Sequence, residues 1–313
     1  MFRRSRPSIV TSFVGAALAT ACATMPAEAD EFAWQLSGGT SRVELGDFDS
    51  DGWSTDATYF VNPIDDSAGP YALASFLNPT TRISAEASER DSSFFGDPTA
   101  YTLRGTYVLA AAQWYVGASY AKSNEGFSSP FYSPSDPKSY DVLAGRYLGA
   151  NTTLELGFGR AERDFETVLP CPFAGPCTAV PLSVETTTDS VGLEVFHVRQ
   201  FRSLTYSLQG RVSQSDADED VSPGTPFPLA DGDPWLVYSV AGELYPTDRL
   251  GVRVGYSRPA GVGNDSDSYD VAATWFFKPR IAVQFALGRS MIDGAPAGLG
   301  ESDSAAVRLI GRL

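Results

Sequence analysis

The chain is predicted to fold as an all-β, transmembrane, antiparallel up-and-down β-barrel of about fourteen strands, with twelve or sixteen left open. Three observations predict it. From residue 101 to the end, stretches of roughly ten residues carry apolar side chains at every second position. The connections between them alternate, one very short and the next long, polar and acidic. The first 29 residues read as an export leader. A barrel strand faces lipid on one side and lumen on the other, and barrels pair tight turns at one end with long loops at the other.

The leader comes first. Arg3, Arg4 and Arg6 form a positive start, residues 9–23 are mostly small and apolar, and Ala27-Glu28-Ala29 is an A-x-A cleavage pattern. Residues 1–29 are therefore expected to be a secretory signal peptide and 30–313 a single barrel domain. An acylated Cys22 is the competing reading, disfavoured by Ala19 where a large aliphatic residue is preferred. Beyond Ala29 no apolar run approaches the ~18 residues that a spanning helix needs.

Fourteen segments follow in order. The first, residues 32–45, places Phe32, Trp34 and Leu36 on one face, with Gly38-Gly39 expected to form a parity-shifting bulge. Residues 54–61 turn Ala57, Tyr59 and Val61 outward, and residues 82–89 turn out Ile83, Ala85 and Ala87. Residues 100–109 turn out Tyr101, Leu103, Gly105 and Tyr107. The pattern then sharpens, with shared faces at Trp114/Val116/Ala118/Tyr120, Tyr140/Val142/Ala144, Leu154/Leu156/Phe158 and Val191/Leu193/Val195. Leu204, Leu236, Leu250, Tyr269 and Ile281 open five further alternating strands, and Val307, Leu309 and Leu313 mark the last. A soluble β-sandwich also alternates. The barrel is favoured by aromatic residues near strand ends (Trp34, Trp114, Tyr120, Tyr245, Trp275, Phe277), where membrane girdles sit. It is also favoured by opposite faces rich in Gly, Ser and Thr. The short turns fall near residues 149–151, 199–202, 246–249 and 278–280; the long loops near 123–137, 164–184, 215–234, 258–267 and 291–303. An even strand count puts both termini on the periplasmic side of a bacterial outer membrane.

Composition narrows the partners. The formal net charge is −15, and the leader carries three Arg and one Glu, so the remainder is more acidic still. No basic footprint for nucleic acid exists. The expected surroundings are outer-membrane lipid and lipopolysaccharide, with small hydrophilic solutes inside and a homo-oligomer possible in the membrane. Mean hydropathy is only −0.12, low for a helical membrane protein but natural for a barrel whose inner face meets water. Cys171 and Cys177, in Cys-Pro-Phe-Ala-Gly-Pro-Cys, are expected to form a local disulfide of an oxidising compartment.

One stretch fits no plain strand. Residues 57–65, Ala-Thr-Tyr-Phe-Val-Asn-Pro-Ile-Asp, lead to residues 69–77, Gly-Pro-Tyr-Ala-Leu-Ala-Ser-Phe-Leu. The pair resembles a motif of a family of general bacterial porins, in which a tyrosine-rich strand leads into Pro-Leu-Ala-Glu-Ala-Ala-Phe-Leu. Tyr71 and Ser75 depart from it, and Leu73 or Ala74 stands in the place of Glu. The resemblance covers about twenty residues and implies a diffusion pore with no catalytic residues. Outer-membrane barrels usually end in Phe, Tyr or Trp, whereas this chain ends in Leu313.

Candidate chemistry is sparse. The single histidine, His197, lies near the turn end of its strand with no His-x-Ser pattern, so no enzyme is expected. Asp47, Asp49 and Asp51 reproduce D-x-D-x-D-G, the first half of a calcium loop. Thr58 stands where the bidentate Glu belongs, so the pattern reads as an acidic hairpin loop with weak Ca²⁺ affinity at best; no cofactor is otherwise expected. Asp216 to Asp220 and Asn264 to Asp267 read as acidic loop faces. Parity sends Arg82, Glu86, Arg104, Glu155, Glu194, Arg211, Glu243, Arg253, Asp270 and Arg308 into the lumen, where charges tune selectivity or pair with one another. Residues 124–137, with Phe127, Phe131 and Tyr132, could fold inward as a constriction or cap the surface.

Overall fold

The structure is a computed structural model that describes residues 31–46, 48–65, 67, 69–92, 98–124, 132–134, 136–169, 180–221, 234–260, 266–292 and 300–313. The leader, Asp47, Phe127, Phe131, Cys171 and Cys177 lie outside the described residues.

The strands, in chain order, are β1 (Glu31–Leu45), β2 (Phe48–Asp65), β3 (Arg82–Ser92), β4 (Thr99–Leu109), β5 (Trp114–Ser123), β6 (Tyr132–Pro134), β7 (Lys138–Tyr147), β8 (Thr152–Leu169), β9 (Val180–Phe201), β10 (Leu204–Val221), β11 (Trp235–Thr247), β12 (Leu250–Ala260), β13 (Ser266–Lys278), β14 (Ile281–Ile292) and β15 (Glu301–Arg312). Every pairing is antiparallel, sequential neighbours pair, and β1 pairs β15, so fourteen strands close into a barrel. Closure leaves no unpaired edge, the condition for a sheet inside hydrocarbon. The short β6 lies outside that count. It continues the lane of β7 along the upper part of β8, pairing Tyr132 with Thr167.

The outward face is apolar because alternation leaves it no other partner. Leu103, Val142, Val240, Val254, Phe285 and Leu287 are each more than half exposed. An exposed apolar belt around a whole molecule has only lipid to cover it. Strands of 10 to 13 residues, as in β5, β12 and β13, match the ~9–11 tilted residues that cross a bilayer core. Rings bound the belt at both ends. Trp34–Tyr59 (4.8 Å), Trp275–Phe277 (6.0 Å) and Trp114 under the Arg146 guanidinium lie toward the turn end. Tyr120–Tyr140 (5.3 Å) and Tyr256–Tyr269 (5.2 Å) lie toward the loop end.

Several sequence expectations change. Gly38-Gly39 is not a bulge: β1 runs in unbroken register with β2 and β15 through both glycines. The irregularity lies between Phe32 and Trp34. There the consecutive amides of Ala33 and Trp34 both donate to the Leu313 carbonyl, and Leu313 donates back to Trp34. Tyr245, assigned to the outer girdle, is 2% exposed and points inward. Within the acidic stretch that reads as a hairpin loop, Asp49 and Asp51 are already in β2, opposite Glu44 and Arg42. Asp216 to Asp220 also belong to a strand, the upper part of β10, paired with β9. Strands β8, β9 and β10 therefore rise together beyond the belt, and they run further than sequence patterning implied.

Residues 62–80 depart most. β2 continues to Asp65, and the chain then turns inward at the barrel end that also carries both strand termini. A 3₁₀ turn at Tyr71–Leu73 leads into α1 (Ala74–Leu77), which ends where Asn78 Nδ2 donates to the carbonyls of Asp65 (2.6 Å) and Ala74 (3.0 Å).

Candidate functional site

The lumen wall follows from strand parity. Inward positions carry charge because water or another polar group can reach them; the same charges on the outer face would cost several kcal/mol each near mid-membrane. Arg82, Glu86 and Arg104 line a cavity of about 210 Å³ on one wall. Glu194, Arg211, Arg253 and Asp270 line another of about 460 Å³ opposite. Glu155 stands directly across from Glu194 on the adjacent strand, and Glu243 across from Arg253. Arg308 reaches Ser54 Oγ at 3.3 Å from the strand beside β1.

Three further charges bear on the lumen: sequence reasoning passed over Asp56 and Asp141, and read Arg312 only as an inward position of the last strand. Asp56 pairs in register with Ser37 and Glu86, and its carboxylate accepts from Ser37 Oγ (3.0 Å) and Thr58 Oγ1 (3.3 Å). Asp141 accepts from Ser119 Oγ at 2.8 Å. Both share the inward parity of their strands, which strict counting from Tyr59 and Tyr140 reveals. Arg312 is 3% exposed, inside the barrel end, and is described below.

How these charges are satisfied decides what the lumen is. Among the described residues, none of the ten forms an ion pair within 4 Å; the ion pairs lie at Arg42, Lys122, Arg160, Arg258 and Arg289, toward the loop end. The lumen acids take neutral donors instead. Tyr115 Oη donates to Glu155 Oε2 (3.1 Å), and Gln209 Nε2 donates to Glu194 Oε1 (2.9 Å). The Tyr115 ring lies where a Cβ on Gly145 would stand, so the hydroxyl reaches Glu155 only because residue 145 is glycine. Like-charged pairs such as Asp56–Glu86 and Glu155–Glu194, directly opposite on neighbouring strands, are unfavourable unless solvent or a counter-charge screens them.

The turn end is closed differently. Residues 71–77 cross the barrel and touch distant parts of its wall. Ala74 packs with Phe32, Phe60 and Ile64 of β1 and β2. Leu73 is buried with Val198 of β9 and Tyr245 of β11, joined by Ala72, Phe76, Leu77 and Phe196. Phe76 meets Phe196 edge-on at 4.5 Å, and Tyr71 lies 5.5 Å from Phe276 of β13. The Tyr71 amide donates to Asp248 in the β11–β12 turn (2.9 Å), and Arg312 Nη2 donates to the Tyr71 carbonyl (2.7 Å). The same guanidinium stacks over Phe32 (4.6 Å) and Phe276 (4.8 Å), and its Nε donates to Gln35 (3.2 Å). An apolar plug tied to six strands thus forms the floor of the lumen.

The remaining candidates resolve simply. His197 Nδ1 shares a 2.8 Å hydrogen bond with Thr152 Oγ1, on the outward parity at the turn end. Asp49 is held by Arg42 at 3.2 Å, and no cluster of three or more metal-ligating side chains forms among the described residues. Asp216 and Asp218 share the outward parity of Val212, so they face away from the pore mouth. Tyr132 lies in the wall through β6.

No family model and no curated protein matches the chain. Solved structures do match its fold. The outer membrane protein Omp33 of Acinetobacter baumannii superposes with a TM-score of 0.60 at 16% identity, covering 91% of this chain and 100% of that one. The CymD monoaromatic hydrocarbon channel superposes at 0.53 with 10% identity, covering 95% and 97%.

Proposed function

We propose that this protein is an outer-membrane channel through which small hydrophilic solutes and ions diffuse. The fold it shares with outer-membrane barrels supports the location, and the resemblance of residues 57–77 to general porins supports the pore. The observation that carries the reading is the lumen itself: ten inward charges, on opposite walls, without an ion pair among them at 4 Å. Charges left in that state need water or a polar solute around them. In this reading the turn end and both termini face the periplasm, the loop end faces outside, and lipid and lipopolysaccharide surround the belt. Cys171 and Cys177 form a disulfide in the external loop between β8 and β9. No catalytic role, cofactor or nucleic-acid partner enters it, and association into homo-oligomers would occur through the belt.

A second reading has its own support. The plug of residues 71–77 spans the lumen floor, as a closed structural barrel that uses acidic external loops for contacts would require. Planar-bilayer recordings decide between them. The channel reading expects unitary current steps from the mature protein, and larger or more frequent steps when residues 71–77 are replaced by a Gly/Ser linker. Silence from the plug-replaced barrel as well would leave only the structural reading.

A further inference from the structure

The wall cavity above the plug carries an arrangement that simple diffusion does not need. Asp56 on β2 and Glu86 on β3 stand directly opposite in register, and Arg104 on β4 pairs with Ser84, two residues nearer the plug. Arg82 pairs with Thr106 two residues further on. Two residues along a strand is about 6.6–6.8 Å. The cavity therefore has an acidic layer facing the loops and a basic layer facing the plug. Its volume is about 210 Å³, and Ser75 of α1 forms part of its floor. Asp56 is pre-oriented by two hydroxyls, and none of the four charged groups is in an ion pair within 4 Å among the described residues. Two adjacent carboxylates want a cation between them. Two guanidiniums want a carboxylate, which one of them can grip with paired N–H donors.

We propose that this cavity is a binding site for a small zwitterion bearing a carboxylate and an ammonium group, the chemistry of a free amino acid. The carboxylate sits toward Arg104 and Arg82, and the ammonium toward Asp56 and Glu86. A solute entering from the loop end meets the acids first, turns its carboxylate down to the arginines and stops on the plug. The site deepens the channel reading and rests on it for the ligand's route of entry.

The test uses the detergent-solubilised mature protein and three probes of similar size: alanine, propionate and isopropylamine. Saturation-transfer NMR reads their binding. Alanine should bind saturably, and each single-charge probe at least about tenfold more weakly, the scale of one lost charge-assisted hydrogen bond. Glu86→Gln and Arg104→Gln should each weaken alanine by about the same factor while the barrel keeps its heat-modifiable migration. Should a variant fail to fold, the three-probe comparison on the wild type decides alone. Propionate binding as well as alanine would make this a plain anion site, isopropylamine binding as well would make it a plain cation site, and either overturns the proposal, as does non-saturable alanine. Liposome swelling separates the two ideas. Alanine binding without any solute uptake keeps the site and retires the channel; sugar uptake without alanine binding does the reverse.

Discussion

Arg312 illustrates how one side chain can join wall and plug. It is buried against two phenyl rings, bonds Gln35 of β1, and holds the Tyr71 carbonyl. A hydrogen bond to a charged group contributes about 1.5–3 kcal/mol. Arg312→Met should therefore leave the fourteen-strand wall intact while loosening the plug. The expected result is a higher open fraction in bilayer recordings and faster proteolysis near residue 70. Unchanged gating would show that the apolar contacts alone hold the plug. Gly145 offers a second residue-scale test. Gly145→Ala places a methyl on the Tyr115 ring, and overpacking of this kind costs about 1–3 kcal/mol. The heat-modification temperature should fall, and Tyr115→Phe in the same chain should not restore it, because ring carbons Cζ and Cε1 collide as well as the hydroxyl. Arg312 was legible only as an inward position; its role was not, because its partners lie some 240 to 280 residues away.

At the scale of elements, the tall β8–β9–β10 region is held by paired backbone and by exposed ion pairs. Arg160 grips Asp189 with two hydrogen bonds of 2.7 Å, and these hold the Asp189 carboxyl below its usual range against a smaller opposing effect of desolvation. A carboxyl with a depressed folded-state pKa stabilises above the ordinary value near ~3.9 and loses that contribution as pH falls through the folded one. Protease nicking of the tower should rise below about pH 4. Asp189→Asn should nick more readily at neutral pH and respond less to acid; an unchanged pH response in the variant would place the sensitivity elsewhere. The effect should be modest, since exposed ion pairs contribute little. A Cys171–Cys177 bridge, proposed above, would close a short ring and should add at most about 2–3 kcal/mol. Thiol labelling of intact cells with and without reductant checks it, and free thiols in the oxidised protein would exclude it. Alternation showed where these strands stand in the membrane. It could not show how far they rise beyond it, because polar strand extensions such as residues 216–220 have the composition of loops.

For the whole molecule, charge sets the expected selectivity. The predicted lumen charges are balanced, with Arg82, Arg104, Arg211, Arg253 and Arg308 against Glu86, Glu155, Glu194, Glu243 and Asp270. Asp56 and Asp141 join the acidic side, while Arg312 is buried against the plug. At the level of the apolar belt the wall should therefore favour cations; Arg90 and Arg163, on the same inward parity, lie nearer the loops. Asp141→Asn should reduce the preference and Arg253→Ala should strengthen it, as read by reversal potentials under a salt gradient. Neutralising Asp216 and Asp218 should do little, because they face outward and a Debye length of about 10 Å at 0.1 M salt screens them from the pore. Clear anion selectivity in the wild type would contradict the lumen assignment.

The sequence by itself determined the antiparallel barrel, a strand count near fourteen and the parity of each strand. Those follow from a period of two and from turn length, which are local properties of the chain imposed by a lipid exterior and a wet interior. Residues 71–77 could not be read the same way. They are apolar without alternation, and what covers them is Phe32, Phe196, Val198, Tyr245 and Phe276, drawn from strands spread through the chain. Those rings are also why Tyr245 looked like a membrane-girdle residue: an inner apolar surface and an outer one have the same composition. Only closure of the barrel brought that inner surface together, and with it the floor on which Asp56, Glu86, Arg104 and Arg82 form one cavity.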